Sequence, residues 1–470
     1  MNEITFYGKD FTRVSEAKVK GPKDLKEPIA IDGCGNLTYI ELLEQFLKKR
    51  HGIPKEDPDD EPEGKSLYSY FNNEMYFGRW VGVFRDKSFQ EETTQKTFDI
   101  TLEISCRFDT DKNAFFLMAM LLRLPDEELQ GHFIKPEVNI TFHQAMDVFL
   151  LFMFKKQLAE AAKKGLFRKY QRFENNDSRP RGTIDIARHI RENMGLNNGR
   201  ISYHYRELTA DNPVNRLILA AYKRLCEKHP KFCEERIDRD ERVSSTLKML
   251  QTELGWSKTS LRSIIRGNLR PVTHPYFSEY EALRRTCLKI LRDEGVSIFD
   301  AEDSEETDAI CFNITKLWEK FIEYQFRKLE PSHSFKLSPQ EPKDFLTGLF
   351  NREAIPDFVI RNGKTAAILD AKFKRHWEKY QDNYDLLTDD IFKCIRDMHL
   401  FETDRTGVVF PTENGGILKS ATDPNFDLVG VHVPKVKEKQ SFGEWSEILD
   451  KSAGGILKDY LKILDTTSQE

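Results

Sequence analysis

The sequence predicts a multidomain α/β protein with an α+β N-terminal part and a C-terminal mixed sheet flanked by helices. Three observations lead there. The chain has 470 residues, more than one ordinary domain holds. Short β-prone runs dominate the first third, whereas helix and strand patterns alternate from residue 311 onward. The composition, 39% hydrophobic and 32% charged, is that of a globular chain.

Composition also excludes some classes. The longest apolar runs, such as "VFLLFMF" at 148–154, fall far short of the roughly 20 residues that cross a bilayer. The opening "MNEITFYGKDF" lacks the charged-then-apolar order of a signal segment, so a cytoplasmic protein without membrane contact is expected. Seven scattered cysteines include no C-x-x-C pair, which argues against zinc or redox chemistry. A net charge of -5 offers no global attraction for nucleic acid, so any DNA contact must come from local patches.

The elements follow in order. "HGIPKEDPDDEPEGK" (51–65) reads as an exposed loop interrupting an N-terminal domain, and "EMYFGRWVGVFRD" and "KTFDITLEISCRFD" read as antiparallel strands. A helix is expected at about 141–164, with a domain boundary near 165. In the middle region "RISYHYREL" alternates like a strand, and Asp211-Asn212-Pro213 opens a helix. From Lys163 to Arg206 there are 11 Lys/Arg against 4 Asp/Glu, a basic patch in an acidic chain. Further on, Lys258, Arg262, Arg266 and Arg270 recur every four residues and are expected on one helix face, solvated or touching phosphate or a partner. The acidic "DAEDSEETD" (300–308) reads as a linker, giving expected domains at 1–165, 166–300 and 301–470.

In the last domain an amphipathic helix is expected from residue 311, with Ile314, Leu317, Trp318, Phe321 and Ile322 on one side. "IPDFVI" and "AAILDAKFK" read as a hairpin about "RNGK", and a helix at about 388–401, strands "TGVVF" and "FDLVGVHV", and a helix from about 442 complete the unit. Alternation puts Leu369 and Ala371 on one side of the second hairpin strand, and Asp370 and Lys372 on the other. Asp357 starts the neighbouring strand. The two carboxylates can therefore converge on one hard divalent ion, naturally magnesium with manganese as an alternative. Such an ion activates water and neutralises charge on a phosphodiester, while Lys372 orients the water or stabilises developing charge.

This P-D…D-x-K arrangement resembles the PD-(D/E)XK nuclease superfamily. The resemblance implies a further acid on the preceding helix. Glu319 lies at the edge of the apolar stripe and is the expected one, whereas Glu323 points further toward solvent. It thus implies Asp357, Asp370, Lys372 and Glu319 as catalytic residues, Asp357, Asp370 and Glu319 as metal ligands, and Lys374 and Arg375 as DNA contacts beside Lys258, Arg262 and Arg266. Where the superfamily often carries Gln and Tyr on the next helix, "DDIFKCIRDMHLF" offers Lys393 and Asp397, and Lys393 is read by default as solvated.

"RGTIDIARHIREN", "LTADNPVNRLIL", "LWEKFIEYQF" and "PDFVI…ILDAKFK" resemble, in order, the McrC family, the nuclease subunit of modification-dependent restriction systems, and the related LlaJI-type proteins. The resemblance implies a magnesium-dependent endonuclease subunit acting on double-stranded DNA in a hetero-oligomeric complex with a McrB-like AAA+ GTPase. It implies docking through the N-terminal domain, and through Arg179, Arg181, Arg188 and Arg191 in the middle domain, where motor or DNA is contacted. The chain contains no G-x-x-x-x-G-K-[ST], so nucleotide is expected on the partner. Two other readings stay open: a self-sufficient repair or recombination nuclease, and a non-cleaving assembly subunit.

Overall fold

The computed structural model describes residues 2–21, 23–29, 37–48, 67–71, 74–123, 141–193, 199–230, 233–254, 260–292, 308–332, 334–345, 352–374, 377, 384–419 and 425–467. They form two compact units, one of residues 1–146 with 305–470 and the other of 147–304.

The first unit opens with β1 (Asn2–Lys9), β2 (Lys18–Val19) and α1 (Tyr39–Lys48). A capping box starts α1, since Thr38 N–H donates to Glu41 Oε2 at 2.8 Å and Glu41 N–H returns to Thr38 Oγ1 at 3.4 Å. Its Leu42, Leu43, Phe46 and Leu47 are spaced for one face and are buried in a core with Phe6, Phe77, Phe84 and Phe98. Next come β3 (Tyr68–Phe71), β4 (Glu74–Phe77), β5 (Trp80–Gln90), β6 (Thr97–Ser105) and α2 (Phe115–Leu122). Helix α2 is apolar all round and wholly buried. Its N-cap, Ala114, has no side-chain acceptor, so the buried Asp109 supplies one: Oδ1 accepts from Phe116 N–H at 2.7 Å and Oδ2 from Leu117 N–H at 3.2 Å.

The second unit carries most of α3 (Phe142–Ala162), then β7 (Lys169–Asp177), β8 (Thr183–Ile184), α4 (Ile186–Asn193), β9 (Ile201–Thr209), α5 (Pro213–Lys228), α6 (Glu241–Leu254), α7 (Leu261–Arg266) and α8 (Glu279–Arg292). Strand β9 is central in an antiparallel β7-β9-β8 sheet. The chain enters β8 through Gly182 at φ +73, where a Cβ would come within 2.6 Å of His204 O, so this turn admits only glycine. Helix α5 begins as expected, with Asn212 capping Asn215 N–H at 3.1 Å and proline at the first turn. Asn212 and Asn215 also donate to Phe167 O at 2.7 and 2.8 Å, which makes "ADNPVN" a structural knot.

After residue 305 the first unit resumes with β10 (Asp308–Asn313) and α9 (Ile314–Leu329). The helix expected from residue 311 starts three residues later, because 308–313 pair antiparallel with β5 and Asn313 caps Thr315 N–H at 3.0 Å. This gives the N-terminal sheet its order β10-β5-β6-β1-β2. Then follow β11 (Lys336–Pro339), β12 (Lys343–Phe345), β13 (Arg352–Ala354), β14 (Phe358–Asn362), β15 (Lys364–Ala371), α10 (Tyr384–Leu400), β16 (Arg405–Thr412), β17 (Gly416–Lys419), β18 (Asn425–His432) and α11 (Phe442–Thr467). A six-stranded mixed sheet, β11-β14-β15-β16-β18-β17, results. The β14–β15 hairpin turns at Gly363, φ +76, with Asn362 on one side of it paired to Lys364 on the other. Helix α10 packs through Leu387 and Cys394 on Val408 and Phe410, and its end lies on Val359 and Ile368. Helix α9 lays Phe326 on Phe358 (5.7 Å), the residue paired with Leu369, so alternation puts α9 on the opposite sheet face.

Candidate active site

Strand register builds the site. Phe358 pairs with Leu369, which sets Asp357, just before β14, beside Asp370 near the end of β15. Asp357 Oδ2 accepts the Ala371 N–H at 2.7 Å and is thereby fixed against that strand. Glu319 comes from α9, its Oε1 accepting from Gln340 Nε2 at 2.7 Å, while Gln340 N–H donates to Asp357 O at 3.1 Å. Gln340 therefore joins the helix acid to the strand acid. It does so at φ +49, a left-handed conformation that a non-glycine residue adopts at some cost.

The lysines form the other half. Asp370 is 3% exposed; Lys372 Nζ lies 2.6 Å from its Oδ2 and Lys393 Nζ, on α10, 3.3 Å from its Oδ1. Apart from the Lys372 ammonium, that buried oxygen has no polar partner among the described residues, which leaves it a lone pair for a further ligand. Lys372 also lies 3.2 Å from Asp390 Oδ1, and Lys374 3.3 Å from Asp390 Oδ2, which takes Trp377 Nε1–H at 3.3 Å as well.

The charges divide sharply. Burial pushes the Asp370 carboxyl up, but Lys372 and Lys393 outweigh that and hold it well below the usual range. Burial opposes the Lys372 charge too, yet Asp370 and Asp390 keep its proton bound more tightly than in an ordinary lysine. Asp357 is pushed well up by burial and then by the charges of Asp370 and Glu319. Glu319 is raised by burial and by Asp370 and Glu323. Among the described residues no group of three or more His, Cys, Asp or Glu side chains is placed as it stands to hold a metal ion. The donors nevertheless fit a hard divalent ion: three oxygen acids, two of them carrying a repulsion that a cation between them relieves.

Sequence reasoning brings Asp357, Asp370, Lys372 and Glu319 to one place and the structure agrees in their position. It errs on Glu323, which is 4% exposed rather than solvent-facing and pairs with Lys320 and Arg327 at 2.9 and 2.8 Å. Lys393, read by default as solvated, is half-buried and reaches Asp370. It missed Gln340 and Asp390; the available signal was Asp390, Lys393 and Asp397 recurring at helical spacing among the apolar residues of α10.

The basic residues are scattered. Lys258 and Arg375 lie outside the described residues. Helix α7 ends at Arg266, with Gly267 as C-cap and Asn268 Nδ2 bonding Ile264 O at 2.8 Å, so Arg270 falls beyond it and the four-residue repeat does not make one face. Arg262 and Arg266 are exposed on it, and Arg179, Arg181 and Arg191 are exposed around α4. Arg188 turns inward instead: it is 8% exposed, 2.9 Å from Glu174, and bonded to the Asn175 and Tyr203 carbonyls. It fastens α4 to the sheet and is not available as a docking surface.

A family model described as McrBC 5-methylcytosine restriction system component matches residues 78–411. Among solved structures, a refined half-complex from a tetradecameric assembly of Thermococcus gammatolerans McrB AAA+ hexamers with bound McrC is 17% identical, covering 97% of this chain and 100% of that one at a TM-score of 0.43. The cryo-EM structure of the Thermococcus gammatolerans McrBC complex is 18% identical, with 70% and 88% covered and a TM-score of 0.30. No curated protein matches the chain.

Proposed function

Because the chain belongs to the McrBC 5-methylcytosine restriction system component family, we propose that it is the McrC-like, DNA-cleaving subunit, a PD-(D/E)XK endodeoxyribonuclease that requires magnesium. The observation that carries this reading is that Asp370 and Lys372 at the end of β15, Asp357 before β14 and Glu319 on α9 come together. A divalent ion held by the three carboxylates would supply charge neutralisation and acidify a water. Lys372, whose proton Asp370 and Asp390 hold in place, acts as a fixed cation and donor rather than as a base. It orients the attacking water and takes up charge on the phosphate oxygens. Lys393 adds a second positive charge from the helix side, and Lys374, held by Asp390, borders the scissile phosphate.

The partner in this reading is an AAA+ GTPase, as the family implies. In the second unit, Ile186 and Ile190 on α4 are 69% and 62% exposed beside exposed Arg181 and Arg191, a mixed surface suited to docking. No helix among the described residues is long and apolar enough to cross a membrane.

The test is incubation of methylated and unmethylated plasmid with the purified chain in magnesium, with and without the GTPase and GTP. Cleavage only with the GTPase supports the restriction-subunit reading. Cleavage by the chain alone favours an independent nuclease, and no cleavage under any condition removes the catalytic assignment.

A further inference from the structure

The ladder of β15 ends at Ala371, and Lys372 N–H continues only to Val409 O, at 2.9 Å. Phe373 lies beyond the last paired residue and is 1% exposed, so its carbonyl needs a donor from elsewhere. That donor is Arg107 Nη2, at 2.7 Å, from the end of β6 in the N-terminal sheet. Arg107 is itself fixed on the other side. Its Nη1 lies 2.9 Å from Asp10 Oδ2, and its backbone N–H donates to Asp10 Oδ1 at 2.5 Å. The guanidinium sits among aromatic rings, its Cζ 4.3 Å from the Phe373 centroid, 4.7 Å from that of Phe108 and 5.6 Å from that of Phe11. Phe373 also packs on Phe116 at 6.3 Å and on Trp318 at 6.1 Å.

We propose that Arg107 is a positioning residue: by holding the Phe373 carbonyl and ring, it fixes the backbone between Lys372 and Lys374 and couples the N-terminal sheet to the candidate active site. The inference rests on the nuclease reading for its consequence on rate, and on geometry alone for the clamp. Arginine suits the task because its planar fork reaches Asp10 and a carbonyl together while its charge lies over aromatic rings, and lysine cannot do all three. A buried ion pair contributes little net stability, so a positioning role explains it better than a stabilising one.

The test compares the full-length wild type with Arg107→Lys and with the double variant Asp10→Asn/Arg107→Met, which leaves no unpaired buried charge. Hydrogen exchange of the chain alone and single-turnover cleavage with the GTPase, GTP and magnesium are both read. The clamp is expected to show as at least about tenfold faster exchange at residues 371–374 with β1 and β6 still protected. Its positioning role is expected to show as an at least about tenfold lower single-turnover rate constant at saturating enzyme complex, a plateau that a partly unfolded fraction does not lower because it only raises the enzyme concentration needed to reach it. Unchanged exchange at 371–374 overturns the clamp. Faster exchange with an unchanged cleavage rate overturns the positioning role. Should the wild type fail to cleave while exchange responds, the clamp stands and the nuclease reading falls.

Discussion

Lys393 Nζ stands 3.3 Å from Asp370 Oδ1, so a helix lysine shares the carboxylate that the strand lysine Lys372 approaches at 2.6 Å. Asp370 draws on both for its charge. Replacing Lys393 by methionine keeps the aliphatic stem and removes one cation; cleavage is expected to fall about 10²-fold, and for Lys372→Met about 10³-fold or more. Rates on plasmid DNA at saturating magnesium measure both. A wild-type rate for Lys393→Met would take the helix lysine out of the site.

Asp357→Asn separates stability from activity. The Asp357 carboxyl is raised by burial and by neighbouring acids, so the folded state holds its proton more tightly than the unfolded chain. Stability from such a group is present below the unfolded carboxylate range and is lost as pH rises toward the folded value; above both, the full penalty remains. Asparagine keeps an acceptor for Ala371 N–H and carries no charge. At pH 8 without metal, Tm is expected to rise by about 1–3 °C while cleavage disappears. A lower Tm for the variant would show that the carboxylate is not under repulsion.

Magnesium demand should depend on pH in one direction. Protons compete with the ion for Asp357 and Glu319, both raised, but hardly for Asp370, which is held low. The half-saturating magnesium concentration for cleavage is therefore expected to rise as pH falls from 8 to 6. A value constant over that range would mean that neither raised acid binds the ion.

The arginines around α4 divide into two kinds. Arg188 is buried on the Asn175 and Tyr203 carbonyls, so Arg188→Ala is expected to destabilise the second unit by about 1–3 kcal/mol. Charge reversal at exposed Arg181 and Arg191 should leave Tm unchanged and weaken binding of DNA or of the GTPase. Thermal melts and titrations at several salt concentrations distinguish them. Equal affinity for wild type and the reversed variant at every salt concentration would leave Arg181 and Arg191 as a solvated face.

Much of the candidate catalytic strand was legible because its signals are local. The glycine of "RNGK" sets the hairpin, and period-two alternation puts Asp370 with Lys372. Glu319 was legible through helical periodicity, since one face of α9 is plainly apolar. Periodicity gives only a direction, however. It marked Glu323 as solvent-facing because it cannot show that Lys320 and Arg327 close over that side. The same limit made Arg188 look like surface, although the paired strands β7 and β9 receive it.

The sequence by itself determined the hairpin and the carboxylate pair and ranked Glu319 ahead of Glu323 as candidate helix acid, because each depends on neighbours a few residues away. Tertiary structure alone decided that 308–313 add a strand to a sheet begun at residue 2, that Lys393 and Asp390 complete the charge pattern, and that Arg107 reaches Phe373 across 266 positions. Pairings over such separations obey no local period. They are fixed by which buried donor, acceptor or charge would otherwise remain unsatisfied, and that is defined only when the chain has closed around it.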